Sequence, residues 1–285
     1  MNDRISAIKN DVQDRNSQAW NKLCDYIDRI ALEGGEEFAP LEELGPELFS
    51  QIYTLPETIS KLKKVKKVRL YGSSLKRIPP EIGEMEAMEY FDPYTSYNLF
   101  WFPYEITNCK NLKSSRVSTS GLYGNFKNRK GFPDLADNPV RYSGNTIKCS
   151  VCGKEMAYHQ TNQLWISLWV GSDVMPLLVN LCSRDCEGKL PQPAEDYVEY
   201  AHKGGIALKQ PLDEWERFEQ EMLAEEEGEN TAAEPEKGNK PVEQEMFEKE
   251  MDYDDGKTTG GGVENRPAVY KRLQYLKVIK KIWER

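Results

Sequence analysis

Two close pairs of cysteines carry the clearest chemistry in this chain. Cys149-Ser-Val-Cys152-Gly comes first, and 29 residues separate Cys152 from Cys182-Ser-Arg-Asp-Cys186. Thiols with two or three residues between them can hold one edge of a coordination tetrahedron, and two such pairs complete it. Zn2+ is bound in this way. With four thiolates the coordination sphere is closed and no position stays open for water, so the expected ion is structural: Zn2+ on Cys149, Cys152, Cys182 and Cys186. His159, seven residues past Cys152, is the alternative ligand. Two other readings compete: four thiols in a small apolar core, or disulfides. Met1-Asn-Asp-Arg opens a polar, charged stretch without the apolar core of a secretory signal. The expected compartment is therefore the cytoplasm, where cysteines read as ligands or free thiols.

The elements around these cysteines must aim four sulfurs at one point. Gly153 suits a tight turn that directs backbone amides at sulfur. Leu164–Val170 and Leu177–Leu181 are β-prone and suggest a hairpin. Ser183 and Asp185 favour the start of a short helix that carries Cys186. Knuckle, hairpin and ligand-bearing helix together resemble a treble clef, and Leu181-Cys182-Ser183-x-x-Cys186 is similar to its second half. Treble clefs that act as nucleases use a helix-borne His or Asn. The segment after Cys186 is Glu-Gly-Lys-Leu-Pro-Gln-Pro and offers no such histidine, so nuclease chemistry is not expected.

Upstream, residues 55–127 repeat one pattern three times. Leu55-Pro56, Ile78-Pro79 and Phe102-Pro103 open the rounds, 23 and then 24 residues apart. Ile59, Ile82 and Ile106 share the next offset; Leu62, Met85 and Cys109 share the one after. Val65, Met88 and Leu112 follow, then Val68, Phe91 and Ser115, then Leu70, Pro93 and Val117. Apolar residues at fixed offsets in a period of this size signal a solenoid, in which each turn buries its edge against the next. Strands are expected near 65–71, 88–94 and 112–118. Pro93 falls where a central parallel strand needs an N–H, and one extra residue before Trp101 lengthens the second round, so a bulge is expected there.

The stretch resembles a leucine-rich repeat. Its best copy is Val65-x-x-Val68-x-Leu70-x-x-Ser73-x-Leu75, with Ser73 where that family has Asn or Cys. The Leu-Pro-x-x-Ile opening is similar to the short bacterial variety. The resemblance implies a concave face built from the positions between the buried ones. Those columns are Lys67, Tyr90 and Ser114, then Arg69, Asp92 and Arg116, then Tyr71, Tyr94 and Ser118. Tyrosine and arginine give large contact area and directed hydrogen bonds. Lys67, Arg69, Tyr71, Tyr90, Asp92, Tyr94 and Arg116 are therefore the expected partner-binding residues, with an ordinary solvated face as the plainer reading.

The fold class expected is α/β: a short leucine-rich-repeat solenoid with a helical N-terminal cap, then a small zinc-bound α+β module and a disordered acidic tract. Residues 1–54 form the cap, with a helix over 4–33 stopped by Gly34-Gly35 and a second helical piece over 40–54. The repeats occupy 55–127, a connector 128–147, the cysteine module 148–210 and a helix 211–227. Residues 228–265, rich in Glu and Gly, read as a disordered linker. A basic amphipathic helix over 266–285 ends the sequence, with seven basic residues against Glu284. It is suited to docking on the folded body, to a partner or nucleic acid, or to an anionic membrane surface.

Charge and motifs narrow the function. The net charge is −9, yet residues 212–256 hold 18 acidic and 4 basic residues, a net of −14, which leaves about +5 elsewhere. The low isoelectric point thus belongs to one tract. No run of 18 apolar residues occurs, so no membrane span is expected. No phosphate-binding glycine loop and no H-E-x-x-H is present, and two histidines leave little for general-base work. Cys24 and Cys109 lie in apolar-periodic contexts that suggest burial rather than nucleophilic use. The expected function is non-enzymatic binding of a protein or peptide on the concave face. The alternative is a nucleic-acid-associated regulator using the zinc module and the last helix. A toxin-neutralising immunity protein is the weaker third reading.

Overall fold

The structure, a computed structural model, describes residues 12–231, with side chains described as far as 224. Helix α1 (Gln18–Glu33) begins where the Ser17 side chain accepts from the Trp20 N–H, and ends where Gly34 takes a φ of 70° and returns its N–H to the Ile30 carbonyl. It buries Ala19, Trp20, Leu23, Ile27 and Ile30 on one stripe. The expected helix began at residue 4. Residues 1–11 lie outside the described part, and the chain from 12 to 17 is turn rather than helix, because Ser17 supplies the cap that starts the helix at Gln18. The second helical piece is divided into α2 (Pro40–Leu44) and α3 (Pro46–Phe49). Pro46 disfavours helical geometry in the residue before it, and Gly45 accordingly sits at φ 77°, ψ 163°.

A four-stranded parallel sheet follows in the order β1 (Glu37–Phe38), β2 (Lys67–Arg69), β3 (Tyr90–Asp92) and β5 (Ser114–Ser115). Its register is the sequence period itself: Lys67 lies beside Tyr90 and Tyr90 beside Ser114. After each opening proline comes a single 3-10 turn, at Glu57–Lys61, Pro80–Glu84 and Tyr104–Asn108. Ile59, Ile82 and Ile106 are fully buried beneath these turns. The turns stack tightly enough that a Cβ on Gly83 would overlap the Glu105 carbonyl. At the matching offset Ser73 and Ser96 are buried with their hydroxyls 2.6 Å apart, and Ser96 bonds the Leu70 carbonyl at 3.1 Å.

Pro93 leaves the strand regular. The carbonyls of Asp92 and Tyr94 accept from Leu70 and Gly72 on the β2 side, at 2.7 and 2.9 Å. The position without an N–H therefore points the other way, towards β5, which pairs only as far as Phe91 with Ser115. The expected bulge is absent from β3. The extra residue lies in the turn between Ser96 and Leu99, and Tyr97 stands out from that turn, 69% exposed.

The cysteine-bearing part forms two further sheets. Strands β6 (Thr146–Lys148) and β7 (Glu155–Ala157) make a short antiparallel pair. Strands β8 (Asn162–Val170) and β9 (Asp173–Leu181) make a hairpin of nine residues each, and β4 (Phe102–Pro103), from the third round of the repeat, pairs parallel to β9. One face of this sheet joins a hydrophobic cluster that runs without a break from Ala19 to Cys186. The other carries an aromatic cluster of Trp101, Tyr123, Phe132 and Trp165 with Leu135, Val140 and Leu178. Residues 128–147, expected as a connector, thus contribute buried side chains despite having no regular element before Thr146.

The hairpin tip seals the open edge of the parallel sheet. Ser172 Oγ accepts from the Ser115 N–H at 3.0 Å and donates to the Ser115 carbonyl at 2.8 Å, while the Ser172 N–H donates to Ser115 Oγ at 3.1 Å. Gly171, at φ 62°, comes so close that a Cβ there would meet Ser115 Oγ at 2.9 Å. An uncovered edge strand is a template for unwanted pairing, and one turn of the hairpin satisfies it here. Helix α4 (Arg184–Glu187) follows β9, and α5 (Glu214–Thr231) ends the described chain. Helix α5 runs beyond the expected limit at 227. The rest of the expected linker and the whole of the expected last helix lie outside the described residues.

Candidate metal centre and sheet face

The first pair of cysteines sits in the knuckle between β6 and β7. Cys149 N–H donates to the Lys154 carbonyl at 2.8 Å, and Gly153 N–H closes the turn on the Cys149 carbonyl at 2.9 Å. Ser150 ties the knuckle to β9: its N–H donates to the Asn180 carbonyl at 2.7 Å, and its hydroxyl accepts from the Asn180 N–H at 2.9 Å. Cys182 leaves the end of β9. Ser183 then caps α4 by accepting from the Cys186 N–H, which places Cys186 in the first turn of the helix.

All four sulfurs lie within 4.8 Å of one another, with Cys152 and Cys182 3.5 Å apart and Cys182 and Cys186 3.6 Å apart. A tetrahedron of thiolates about 2.3 Å from an ion has edges of about 3.8 Å, whereas a disulfide needs about 2.05 Å. The spacing is too long for disulfides and is one that a metal ion could bridge, and the thiols are free. The Lys154 backbone N–H, with the Cys182 and Cys149 thiols, pulls Cys152 down to about 7. For Cys186 the Ser183 hydroxyl acts downward, but desolvation and the three neighbouring thiols push it up to about 12. Thiols this close cannot all ionise unless a cation takes up their charge. The four cysteines could therefore hold a metal ion. His159 lies on the exposed turn after β7 and is not part of the group.

Of the other two cysteines, Cys109 is buried, its Sγ–H donates to the Ile82 carbonyl at 3.3 Å, and burial raises its thiol to about 12. Cys24 is half-buried and also raised, first by burial and then by Asp28. Neither has the lowered pKa that a nucleophile needs.

Five of the seven expected partner-binding residues are exposed on one face of the parallel sheet, while Tyr90 is half-buried and Asp92 is an exception. Lys67, Arg69, Tyr71, Tyr94 and Arg116 are exposed, and Val68, Leu70, Phe91 and Val117 between them are buried. The Tyr71 and Tyr94 rings are 6.1 Å apart, and the Arg116 guanidinium lies over both, at 5.5 and 5.1 Å. Arg69 is engaged by Glu42 at 2.7 Å and Glu37 at 3.3 Å. The exception is Asp92, expected at the surface but only 3% exposed. It accepts from Arg116 Nε at 3.0 Å and Nη2 at 2.6 Å, from the Tyr90 hydroxyl at 3.2 Å and from the Tyr94 N–H at 3.1 Å. Arg116 covers the carboxylate it pairs with, so Asp92 is an anchor below the face rather than a contact on it. The alternation of the strand gave its direction; the lid over it comes from a residue 24 positions away.

Among the described residues, no helix is long and apolar enough to cross a membrane. Comparison of the chain with protein-family models, with curated proteins and with solved structures finds no match in any of the three.

Proposed function

We propose that the chain is a non-enzymatic binding protein of the leucine-rich-repeat kind, with a structural Zn2+ on Cys149, Cys152, Cys182 and Cys186. The face of β1, β2, β3 and β5 takes a protein or peptide partner. The zinc holds the knuckle to α4 and so keeps the hairpin against the sheet edge. Free thiols and a thiolate-held ion suit a reducing compartment such as the cytoplasm.

One observation supports the binding reading above the others: Arg116 is laid over Tyr71 and Tyr94 and locked by a buried carboxylate. Arg and Tyr are the residue types that dominate interface energies. Fixing them before binding removes entropy that a partner would otherwise have to offset. A solvated face has no need to sink Asp92 beneath its arginine. The alternative, a nucleic-acid-associated regulator, depends on the basic segment 266–285, outside the described residues.

Affinity purification from the native host, followed by mass spectrometry, supplies the partner for the test. The double variant Tyr71→Ala, Tyr94→Ala, which leaves the Arg116–Asp92 pair in place, should keep its melting temperature, with stability within about 1 kcal/mol of the parent. Its affinity for that partner should fall by about 2 kcal/mol or more. Unchanged affinity would move the site off the sheet. Affinity that collapses between low and moderate salt would favour phosphate recognition instead.

A further inference from the structure

The four clustered cysteines are not equivalent. Cys149 and Cys186 are buried, at 2% and 5% exposure, whereas Cys182 is half-buried and Cys152 is exposed. The two accessible thiols come from different parts of the chain. Cys152 lies in the knuckle between β6 and β7, and Cys182 follows β9, 30 positions later. Their sulfurs are nevertheless 3.5 Å apart, as close as Cys182 and Cys186 at 3.6 Å. Burial therefore leaves one accessible pair, and that pair spans the site instead of lying within either close motif.

The thiolate is the nucleophile, and oxidation follows thiolate character and access. An ion held here keeps all four sulfurs as thiolates, so access decides which of them meets an oxidant first. That sulfur is on Cys152. The sulfur that answers must lie within reach and be free to move, and Cys182 meets both conditions. Cys109 is outside the group, with its thiol on the Ile82 carbonyl.

We propose that Cys152 and Cys182 form a hydroperoxide-responsive pair: oxidation joins them as a disulfide, releases the metal and ties the knuckle to the end of β9 in its place. The proposal rests on the reading of the cysteines as a zinc site. The Cys152 thiolate attacks one peroxide oxygen and the O–O bond breaks. Its sulfur becomes a sulfenic acid, and the other oxygen leaves as water. The Cys182 thiolate then attacks that sulfur. An S–S bond forms and the S–O bond breaks, with loss of a second water. Two electrons pass from the two sulfurs to the peroxide. Four protons are taken up in all, two into the waters and one each onto Cys149 and Cys186. Two thiols do not hold Zn2+ as four thiolates do. The new bond joins the same parts that the ion joins, so the hairpin stays in place. Disulfides in reducing compartments are mostly transient and redox-sensing, which suits a bond of this kind.

The test treats the full chain, purified with its metal, with a small excess of hydrogen peroxide. A chromophoric chelator should record release of the zinc, and the denatured mass should fall by two hydrogens per chain. Non-reducing peptide mapping should find Cys152 linked to Cys182. Dithiothreitol with added zinc should restore the starting mass and metal content, and Cys24→Ser should change none of this. Hydrogen exchange should show β8 and β9 still protected in the oxidised, metal-free protein, unlike protein stripped by chelation. A different cysteine pair, sulfinic or sulfonic acid without a disulfide, or metal retained beside the disulfide would overturn the proposal. Hairpin protection lost as fully as on chelation would overturn it too. Absence of metal before peroxide is added would sink the zinc reading and this proposal together, whereas metal present without a Cys152–Cys182 link would sink this proposal alone.

Discussion

Strands of two or three residues build the parallel sheet, whereas β8 and β9 run nine residues each. The short strands are held from outside. Every round of the repeat buries an isoleucine in its 3-10 turn, the first two bury Val68 and Phe91 under the strand and the third buries Ser115, and each round covers the next. The hairpin has a long ladder of its own, and its ends are fixed by the cysteine knuckle on one side and by Ser115 on the other. Stability is thus spread along the repeats and concentrated in the cysteine region. One lost side chain in the first weakens a neighbourhood; one lost thiol in the second releases a whole element.

Cys182→Ser tests this contrast most severely. The variant should lose its metal and cost more than about 4 kcal/mol, the range that lost metals occupy. Elemental analysis and denaturant melts would show it. A loss shared evenly between repeats and hairpin would break the contrast.

Acid comes next. His202 is buried against Phe132, its Nδ1 accepts from the Gly204 N–H at 3.1 Å, and burial lowers it to about 4. The folded state therefore binds a proton less readily than the unfolded chain, whose histidine titrates near 6.5. Stability from this site is present above about pH 6.5 and is lost as pH falls towards 4, by about 3 kcal/mol in all. His202→Gln should flatten that part of the curve of stability against pH.

Asp92→Ala is a smaller blow. It frees Arg116 and leaves the Tyr90 hydroxyl and the Tyr94 N–H without their acceptor. Because Arg116 is half-exposed, solvent replaces part of the loss, and about 1–2 kcal/mol is expected in a thermal or urea melt. Partner affinity should fall too, although Asp92 touches no partner. Retained affinity would mean that the clamp is not what prepares the face.

The two regions were also legible in the sequence to different degrees. Period alone placed Ile59, Ile82 and Ile106 in the core and paired Lys67 with Tyr90, because each turn repeats the same burial. Thiol spacing alone brought Cys149, Cys152, Cys182 and Cys186 together, because metal chemistry allows few alternatives. Strand β1 was missed, since Glu37–Phe38 is too short to show alternation. The depth of Asp92 was missed because Arg116 arrives from the next round. Sealing of the sheet edge by Ser172 joins residues 57 apart that carry no motif.

Hydrogen exchange with and without metal tests the central claim most directly. In protein with about one zinc per chain, the amides of β8, β9 and β5 should exchange slowly. After chelation the hairpin and the Ser115 edge should lose protection together, while residues 55–92 keep theirs. Unchanged protection of the hairpin after chelation, or protein purified without chelator that carries no stoichiometric metal, would contradict the account.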